Sequence, residues 1–275
     1  MFRTVLVHVD AVKGSDARTR AALDLARQYG ASLIGITAEL PRLPADVYAS
    51  ALGTVAVGPE YTEFDRQELE AEFGKAAEAF KKATAGSGIE TSWRAEFATP
   101  STAIADAAAA ADIIVAGAGE RSLLADAGSA PAGDVALRIG RPVLIIPKDQ
   151  DRIDVQNVVV AWKDTPEAQR AVADALPFMK RAKSVIVVQV REGEDEPDFK
   201  NVIAYLKGHG IAAKSQVIEA AGKSATDAIV DLARRSQTDL IVAGAYGHSR
   251  LREWAFGGVT RGLLADTPVA CLLSH

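Results

Sequence analysis

The feature that most constrains the fold of this chain is an internal repeat. Residues 111–124 read ADIIVAGAGERSLL, and residues 238–251, 127 positions later, read TDLIVAGAYGHSRL. The two stretches share Val-Ala-Gly-Ala without a gap, and each carries an aspartate at its second position. A repeat of this kind indicates that one structural unit occurs twice. We therefore interpret the chain as two copies of one domain.

Each copy has the same order of predicted elements. Short apolar strands alternate with segments whose apolar residues recur at the helical period of three or four positions. The sequence therefore predicts an α/β protein with two doubly wound, Rossmann-like domains, each with a five-stranded parallel sheet flanked by helices. The domains are predicted at 1–149 and 153–275, because a polar segment bounded by a proline, 147–154, lies between them. The first domain alone carries an insertion, at 41–64.

Charge and composition exclude several classes of partner. The formal net charge of −5 and the pI of about 5.5 argue against capture of nucleic acid or of an anionic membrane surface. No apolar run approaches the ~18 residues of a membrane span, and the first residues do not read as a signal peptide. The single cysteine, Cys271, stands in an apolar strand and is predicted to be a core residue. We expect a cytoplasmic protein that binds small molecules or proteins.

Three loops of the second copy are predicted to converge on one edge of its sheet. Ligands of doubly wound sheets bind outside the carboxyl ends of the strands, where neighbouring connections diverge. The loops at that edge carry Lys163 and Asp164 after the first strand, Gly222 after the third, and a glycine-rich segment from Gly244 after the fourth. Because glycine lets backbone N–H groups approach a phosphate closely, this edge is a candidate phosphate site.

The glycine-rich segment reads GAYGHSRLREWAFGG, residues 244–258, and is basic between its glycines. Gly244 and Gly247 are predicted to turn the chain away from the strand, and His248 and Arg250 are candidate partners for phosphate charge. The alternative interpretation is that these glycines only make turns and that the basic side chains are solvated.

A Gly-Lys-Ser sequence at 222–224 is not a P-loop, because Val217 stands where that motif requires a glycine. Ser224 is instead predicted to cap the next helix, with Asp227 in its first turn. Lys223 is then left to point toward the candidate site.

Three other conspicuous residues are assigned structural positions. His8 lies within an apolar strand and is predicted to be a buried, hydrogen-bonded histidine. Trp162 ends a strand and is predicted to pack in the core, with stacking on a ligand as the alternative. Asp239 precedes the fourth strand of its copy and is predicted at the end of the sheet opposite the candidate site.

With these elements, the sequence resembles the universal stress protein family in its tandem two-domain form. The family's nucleotide signature is Gly, two residues, Gly, nine residues, then Gly followed by Ser or Thr, and Gly244, Gly247 and Gly257 match that spacing. The resemblance implies ATP, with Mg²⁺ as a possible companion ion, its phosphates along the glycine segment and its adenosine against the loops after the first and third strands. The candidate binding residues are Gly244, Gly247, His248, Arg250, Gly257, Gly258, Val259, Thr260, Lys163, Asp164 and Gly222.

The second copy departs from the family pattern at two positions. Gly258 stands where the family has Ser or Thr, so a hydroxyl that would donate to a phosphate is missing, at a cost of about 0.5–1.5 kcal/mol. Lys163 occupies the register of the family's aspartate after the first strand, with Asp164 one place later. The resemblance therefore implies weakened rather than abolished binding.

The first copy departs further. Asp10 matches the family's aspartate, but Glu120 falls at the register of Gly247, where its carboxylate would repel a phosphate. Neither Gly128 nor Gly133 restores the glycine spacing. The first domain is therefore predicted to have a degenerate nucleotide loop that no longer binds nucleotide.

Two functions remain open from the sequence. The first is a stress-response regulatory protein that binds adenine nucleotide in its second domain, with hydrolysis slow or absent, so that the chain is at most a weak ATPase. The alternative is a nucleotide-free module that binds other proteins or an apolar ligand. The fused copies predict an intrachain pseudo-dimer, and the edges of the fifth strands are candidate contacts for a homodimer.

Overall fold

The fold is that of a computed structural model, which describes residues 1–10, 14–40, 63–118, 135–136, 138–191, 196–220, 222–245 and 267–275. Most of the predicted insertion at 41–64 lies outside these residues. Among the described residues, no helix combines the length and the apolar character needed to cross a membrane.

Both halves of the chain follow the same order of strands and helices. The first half contains β1 (Thr4–His8), α1 (Ser15–Tyr29), β2 (Ser32–Ala38), α2 (Glu63–Thr84), β3 (Thr91–Glu96), α3 (Pro100–Ala108), β4 (Ile113–Gly117) and β5 (Val143–Ile146). The second contains β6 (Asn157–Ala161), α4 (Pro166–Met179), β7 (Ser184–Arg191), α5 (Lys200–Gly208), β8 (Ala213–Glu219), α6 (Ala225–Arg235), β9 (Leu240–Gly244) and β10 (Ala270–Ser274).

The strands of the two halves form one continuous sheet. Its order is β3-β2-β1-β4-β5-β10-β9-β6-β7-β8, so each half has the same five-stranded parallel order. The halves meet where β5 and β10 pair antiparallel, with Cys271 opposite Ile145. The predicted α/β class and the two parallel five-stranded units are confirmed. The joining of the two units into one sheet was not predicted.

The fifth strands are therefore occupied within the chain. β5 lies between β4 and β10, and β10 lies between β5 and β9. The prediction that the edges of these strands contact a second chain is wrong. A strand that already pairs with a neighbour on each side has no free backbone N–H and C=O groups for another strand. Cys271 is completely buried in this junction, and burial raises the pKa of its thiol to about 12. The predicted core role of Cys271 is confirmed.

Apolar side chains cover both faces of the sheet. On β1, Val5 and Val7 belong to the core cluster that contains residues of α1 and α4, whereas Leu6 belongs to the cluster on the other face with residues of α3. This division explains why the central strands are almost wholly apolar, since alternate residues are buried in two different cores.

Helix ends follow their sequence signals. Ser224 Oγ accepts a hydrogen bond from the backbone N–H of Asp227 at 3.1 Å, which confirms the predicted cap of α6. Thr165 caps α4 in the same way, accepting from the N–H of Ala168 at 3.3 Å, and Pro166 occupies the first position of that helix. These caps determine the residues at which the two helices begin.

The repeated aspartates lie at the amino end of the sheet. A carboxylate oxygen of Asp112 accepts from the N–H groups of Arg3 and Thr4, at 2.6 and 3.0 Å. Asp239 does the same for Gln156 and Asn157, at 2.9 and 2.8 Å. Each aspartate thus satisfies backbone donors at the start of the neighbouring strand. The predicted location of Asp239, away from the candidate site, is confirmed.

A second contact joins the halves on one face of the sheet. The rings of Phe2, Tyr29 and Phe178 pack together with centroids 5.0 to 5.9 Å apart, bringing the end of α1 against α4. Arg181 lies 5.1 Å above the Tyr29 ring and donates to the carbonyl of Gln28 at 2.9 Å. The two halves are thus held by a sheet pairing and by an aromatic cluster.

Candidate functional site

The crevice between β6 and β9 is the switch point of the second half. These strands are parallel neighbours, with Ala161 opposite Ala243. The sheet continues from β6 toward β7 on one side and from β9 toward β10 on the other. Because the two connections diverge, a space opens above the carboxyl ends of the strands, and such a space is where open α/β sheets bind ligands.

Gly244 ends β9 at this crevice, in close contact with the start of α4. A Cβ atom at Gly244 would lie 2.6 Å from the backbone nitrogen of Ala168 and 2.8 Å from the carbonyl carbon of Glu167. Only glycine permits this approach, because the backbones of β9 and α4 cannot move apart without displacing the helix. Gly244 is not among the described glycines with positive φ. Gly244 therefore has a packing role where β9 ends, and the predicted turn continues into residues outside the described ranges.

The loop after β6 places its two candidate residues differently. The carbonyl of Lys163, an exposed residue, accepts from the N–H of Thr165 at 2.7 Å. Asp164 Oδ1 accepts from the side-chain amide of Gln169 at 2.8 Å, so its carboxylate lies along the flank of α4. The backbone at the start of α4, which follows this loop, lies next to Gly244.

The loop after β8 lies at the far side of the second half. Gly222 has a φ of +79°, which is the left-handed conformation that favours glycine, and a Cβ there would meet open space. β8, the strand before this loop, is three strand positions from β9, which corresponds to roughly 14 Å between the two strands.

Lys223 does not point toward the crevice as predicted. Its ammonium pairs with the carboxylate of Asp231 on α6, a strongly polar contact along the outside of that helix. The prediction is wrong because the preceding turn at Gly222 directs the chain onto α6, where an acidic side chain lies within reach.

The other candidates lie outside the described residues. These are Gly247, His248, Arg250, Gly257, Gly258, Val259 and Thr260, together with Glu120 in the first half. They stay predictions from the sequence. Within the described ranges, no group of three or more His, Cys, Asp or Glu side chains is arranged to hold a metal ion.

The equivalent crevice of the first half contains a buried charged cluster. Arg18, on α1, lies 3.0 Å from a carboxylate oxygen of Asp10 and donates through Nε to the carbonyl of His8 at 2.8 Å. The Nδ1 atom of His8 lies 3.2 Å from the same carboxylate. A Cβ at Gly117, which corresponds to Gly244, would collide with the Arg18 guanidinium. The guanidinium therefore lies beside Gly117, whereas the atoms nearest the same point at Gly244 belong to the backbone of α4.

The cluster sets the protonation states of its members. Burial favours the neutral acid of Asp10, but the hydrogen bond from His8 and the charge of Arg18 outweigh it and lower the pKa of Asp10 to about 2. Burial lowers the pKa of His8, so the imidazole is neutral and Nδ1 carries the proton that Asp10 accepts. Among the described residues, His8 Nε2 has no hydrogen-bond partner. The prediction of a buried, hydrogen-bonded His8 is confirmed.

The family's glycine motif does not include Arg18, but the sequence contains another indication that this residue is buried and paired. Arg18 precedes Ala21, Ala22 and Leu25 at helical spacing, and all of these are completely buried. An arginine in the apolar stripe of a helix needs a buried acceptor, because an unpaired buried charge is costly. Asp10, which the family pattern had singled out, supplies it.

Acidification is expected to weaken the fold through His8. Its pKa is lowered in the folded protein, so the unfolded chain takes up a proton below pH 6.5 that the folded chain does not, and stability falls as the pH falls. From pH 7 to pH 5 we expect a loss of up to about 2 kcal/mol from this residue. Urea unfolding of wild type and His8→Asn at both pH values measures it, since the other three histidines are common to both proteins. A difference between the two proteins that does not change with pH would contradict this expectation.

Trp162 lies beside the crevice but packs away from it. Its side chain is almost fully buried in the core cluster around α4, and its indole N–H donates to the carbonyl of Asp198 at 3.2 Å. The predicted core role of Trp162 is confirmed.

Comparison with known proteins agrees with this architecture. The universal stress protein family model matches the chain twice, at residues 1–147 and 154–275. Searches of curated protein sequences found no significant match.

Solved structures share the fold over nearly the whole chain. A universal stress protein from Archaeoglobus fulgidus DSM 4304 is 16% identical, with a TM-score of 0.68 over 98% of this chain and 95% of that one. A functionally unknown protein from Pseudomonas aeruginosa PAO1 is also 16% identical, with a TM-score of 0.56 over 99% and 92%. A shorter universal stress protein in complex with cAMP is 22% identical over 54% of this chain and 98% of that one, with a TM-score of 0.36. With the family model matching both halves, this chain belongs to the universal stress protein family.

Proposed function

We propose that the second half binds adenine nucleotide, namely ATP with Mg²⁺ as its companion ion, in the crevice between β6 and β9. Binding rather than hydrolysis is the main event, and the chain acts as a regulatory protein of the stress response. The first half takes no nucleotide and serves as the intrachain partner of the second. In this proposal the division of the chain into domains at 1–149 and 153–275 is also a division of roles.

The observation that carries the proposal is the contrast between the two crevices. In the second half, Gly244 lies directly against the backbone at the start of α4, and the glycine spacing of the family's signature begins there. In the first half, the Arg18 guanidinium lies against Gly117 and neutralises Asp10. A helix N-terminus beside a glycine-rich segment suits phosphates, whereas a crevice filled by an internal ion pair has no vacant charge to offer.

Vigorous hydrolysis is not supported by the described acidic groups near the site. Asp164 is held by Gln169 along α4, and Asp239 is bonded to backbone N–H groups at the opposite end of the sheet. Phosphoryl transfer needs a positioned base or water-orienting group and bound metal charge. We therefore expect at most slow ATP turnover.

Isothermal titration of ATP and Mg²⁺ into the intact protein tests the proposal. We expect one site per chain, because only the second half has the glycine spacing. Two sites would contradict the role given to the first half, and a flat trace at millimolar nucleotide would reject nucleotide binding and leave the interaction module as the remaining function. Mass spectrometry of nucleotide released from freshly purified, denatured protein provides an independent check.

Restoring the missing hydroxyl is expected to strengthen binding. Gly258→Ser returns the residue that the family carries after its third signature glycine, and one added hydrogen bond of about 0.5–1.5 kcal/mol corresponds to roughly 2- to 10-fold tighter ATP binding. Gly128→Ser, in the degenerate segment of the first half, is the matched control and should leave the ATP Kd unchanged. An unchanged Kd for Gly258→Ser would show that this position does not face the phosphates.

A further inference from the structure

The amino end of the sheet in the second half carries a group of exposed basic side chains. The strands of this half are parallel, so the starts of its strands and the ends of its helices lie along one edge. Six exposed cations, which we call the basic surface, belong to the ends of α4, α5 and α6 and to the starts of β7 and β8: Lys180, Lys183, Lys207, Lys214, Arg234 and Arg235.

The basic surface extends across all three layers of the second half. α4 and α5 pack on one face of the sheet, and α6 packs on the other. Between these layers β7 and β8 are adjacent, and Lys214 lies opposite Ile186, three residues after Lys183. The Cα atoms of Lys183 and Lys214 are therefore roughly 11 Å apart. An extended segment of about ten residues spans up to roughly 33 Å, so one segment can reach cations of every layer.

The charge of the basic surface is not neutralised from within the protein. In the parts of the chain that the structure describes, none of the six side chains forms an ion pair with a carboxylate. Two carboxylates lie at the same end of the sheet, but both are used elsewhere. Asp154 accepts from the side-chain amide of Gln156 at 2.6 Å, and Asp239 accepts from the N–H groups of Gln156 and Asn157. The edge therefore has excess positive charge although the whole chain is acidic.

Helix dipoles alone do not explain the cations at the helix ends. Basic residues favour helix C-termini in general, and both halves have a helix before the fourth strand. Across the 127-residue repeat, however, Arg234 and Arg235 at the end of α6 correspond to Ala107 and Ala108 at the end of α3. The same helix end is thus charged in one half and apolar in the other.

The strand starts differ between the halves in the same direction. β2 and β7 begin in equivalent register, and so do β3 and β8 beside them. Lys183 therefore corresponds to Ala31, and Lys214 corresponds to Ser92. Four of the six cations stand where the first half has an uncharged residue. The basic surface is therefore specific to the second half and is not inherited from the repeated unit.

We propose that the basic surface binds a short acidic segment of another protein, in which several Asp and Glu side chains pair with the six cations. A double helix or a bilayer is a less suitable partner, because the net charge of −5 repels an extended polyanion. A short segment lies close to the cations, and charges beyond about 8 Å are largely screened at physiological ionic strength. The surface is at the end of the sheet opposite the nucleotide crevice, so this inference does not rest on the proposed function.

The test uses a fluorescein-labelled octaglutamate peptide, titrated with the full chain and followed by fluorescence anisotropy. At about 50 mM NaCl we expect saturable binding with a Kd of about 10–100 µM, which corresponds to several exposed ion pairs. At about 200 mM NaCl the Kd should rise about tenfold, because salt screens such pairs. A labelled glycine-serine peptide of the same length should not bind.

Variants that give the second half the residues of the first locate the binding. Arg234→Ala with Arg235→Ala should weaken octaglutamate about fivefold, and adding Lys183→Ala and Lys214→Ser should weaken it at least twentyfold. Thermal unfolding reports whether each variant retains its fold. The matched control is Lys81→Ala with Lys82→Ala, which removes two exposed cations from the end of α2 and should change the Kd less than twofold.

Three outcomes would overturn the proposal. The first is no saturable binding of octaglutamate at millimolar protein. The second is a loss of affinity in the Lys81 and Lys82 variant as large as that in the Arg234 and Arg235 variant, which would show that net charge and not the basic surface governs binding. The third is tighter binding, through the same four residues, of a DNA duplex or of phosphatidylserine vesicles, which would assign the surface to a different class of partner.

Discussion

Replacing Arg18 with alanine is expected to lower the free energy of unfolding by about 3–5 kcal/mol, because the substitution leaves a buried charge without its partner. The guanidinium is the cationic partner of Asp10, and the two side chains are 8% and 9% exposed. Removing it takes the cation from a buried carboxylate that the neutral His8 cannot balance, and it also leaves a void next to Gly117. Urea unfolding monitored by circular dichroism measures the loss.

The matched control lies on the same helix. Arg20 pairs with Asp151 at 3.4 Å, but both side chains are more than half exposed, so Arg20→Ala should cost less than about 1 kcal/mol. If the Arg18 and Arg20 variants lose similar free energies of unfolding, the buried cluster stabilises the fold no more than an exposed ion pair does, and the expectation is wrong. A loss for Arg18→Ala that Arg18→Lys fully repairs would instead show that charge alone, without the guanidinium contacts to His8 and Asp10, is sufficient.

Gly244→Ala is expected to destabilise the protein by about 2–3 kcal/mol, because the added methyl group would press on the backbone of α4. The atoms in its way belong to Glu167 and Ala168, and they can move only if the first turn of the helix moves. The midpoint of urea unfolding measures the effect.

Gly74→Ala is the control for the general cost of replacing a glycine. Gly74 lies within α2, and a Cβ there meets open space, so alanine should stabilise the helix by about 0.5–1 kcal/mol. If Gly244→Ala leaves the midpoint of urea unfolding unchanged, α4 can move away from β9 at little energetic cost. By the same argument, a larger residue such as valine at Gly244 would damage the fold, so a loss of ATP binding in that variant would not report on phosphate contacts.

Several parts of the fold were predictable because they depend on local sequence. The order of strands and helices follows from apolar periodicity, and the cap at Ser224 follows from a side chain three residues from its donor. Asp239 was placed correctly because a residue just before a parallel strand must lie at the amino end of the sheet. Lys223 was placed wrongly because its direction depends on Asp231, eight residues away on the outside of a helix.

The candidate site was predictable only in part, for the same reason. The glycine spacing from Gly244 onward is a local pattern, and it was sufficient to indicate the family. The physical reason for Gly244 itself is a contact with Ala168, which no spacing rule contains. Likewise, Arg18 was visible as an arginine in an apolar stripe, but its contact with Gly117 depends on how α1 lies over β4.

The sequence by itself determined that the chain holds two copies of one α/β unit, and that the second copy retains the glycine spacing which the first has lost. Repetition and periodicity are properties of neighbouring residues, so they can be read without coordinates. The tertiary structure alone decided that the copies share one ten-stranded sheet through β5 and β10, and that Arg18 lies against Gly117 in the first crevice. These features depend on the packing of residues distant in the chain, where side-chain volume and buried charge select one arrangement among many that the local pattern allows.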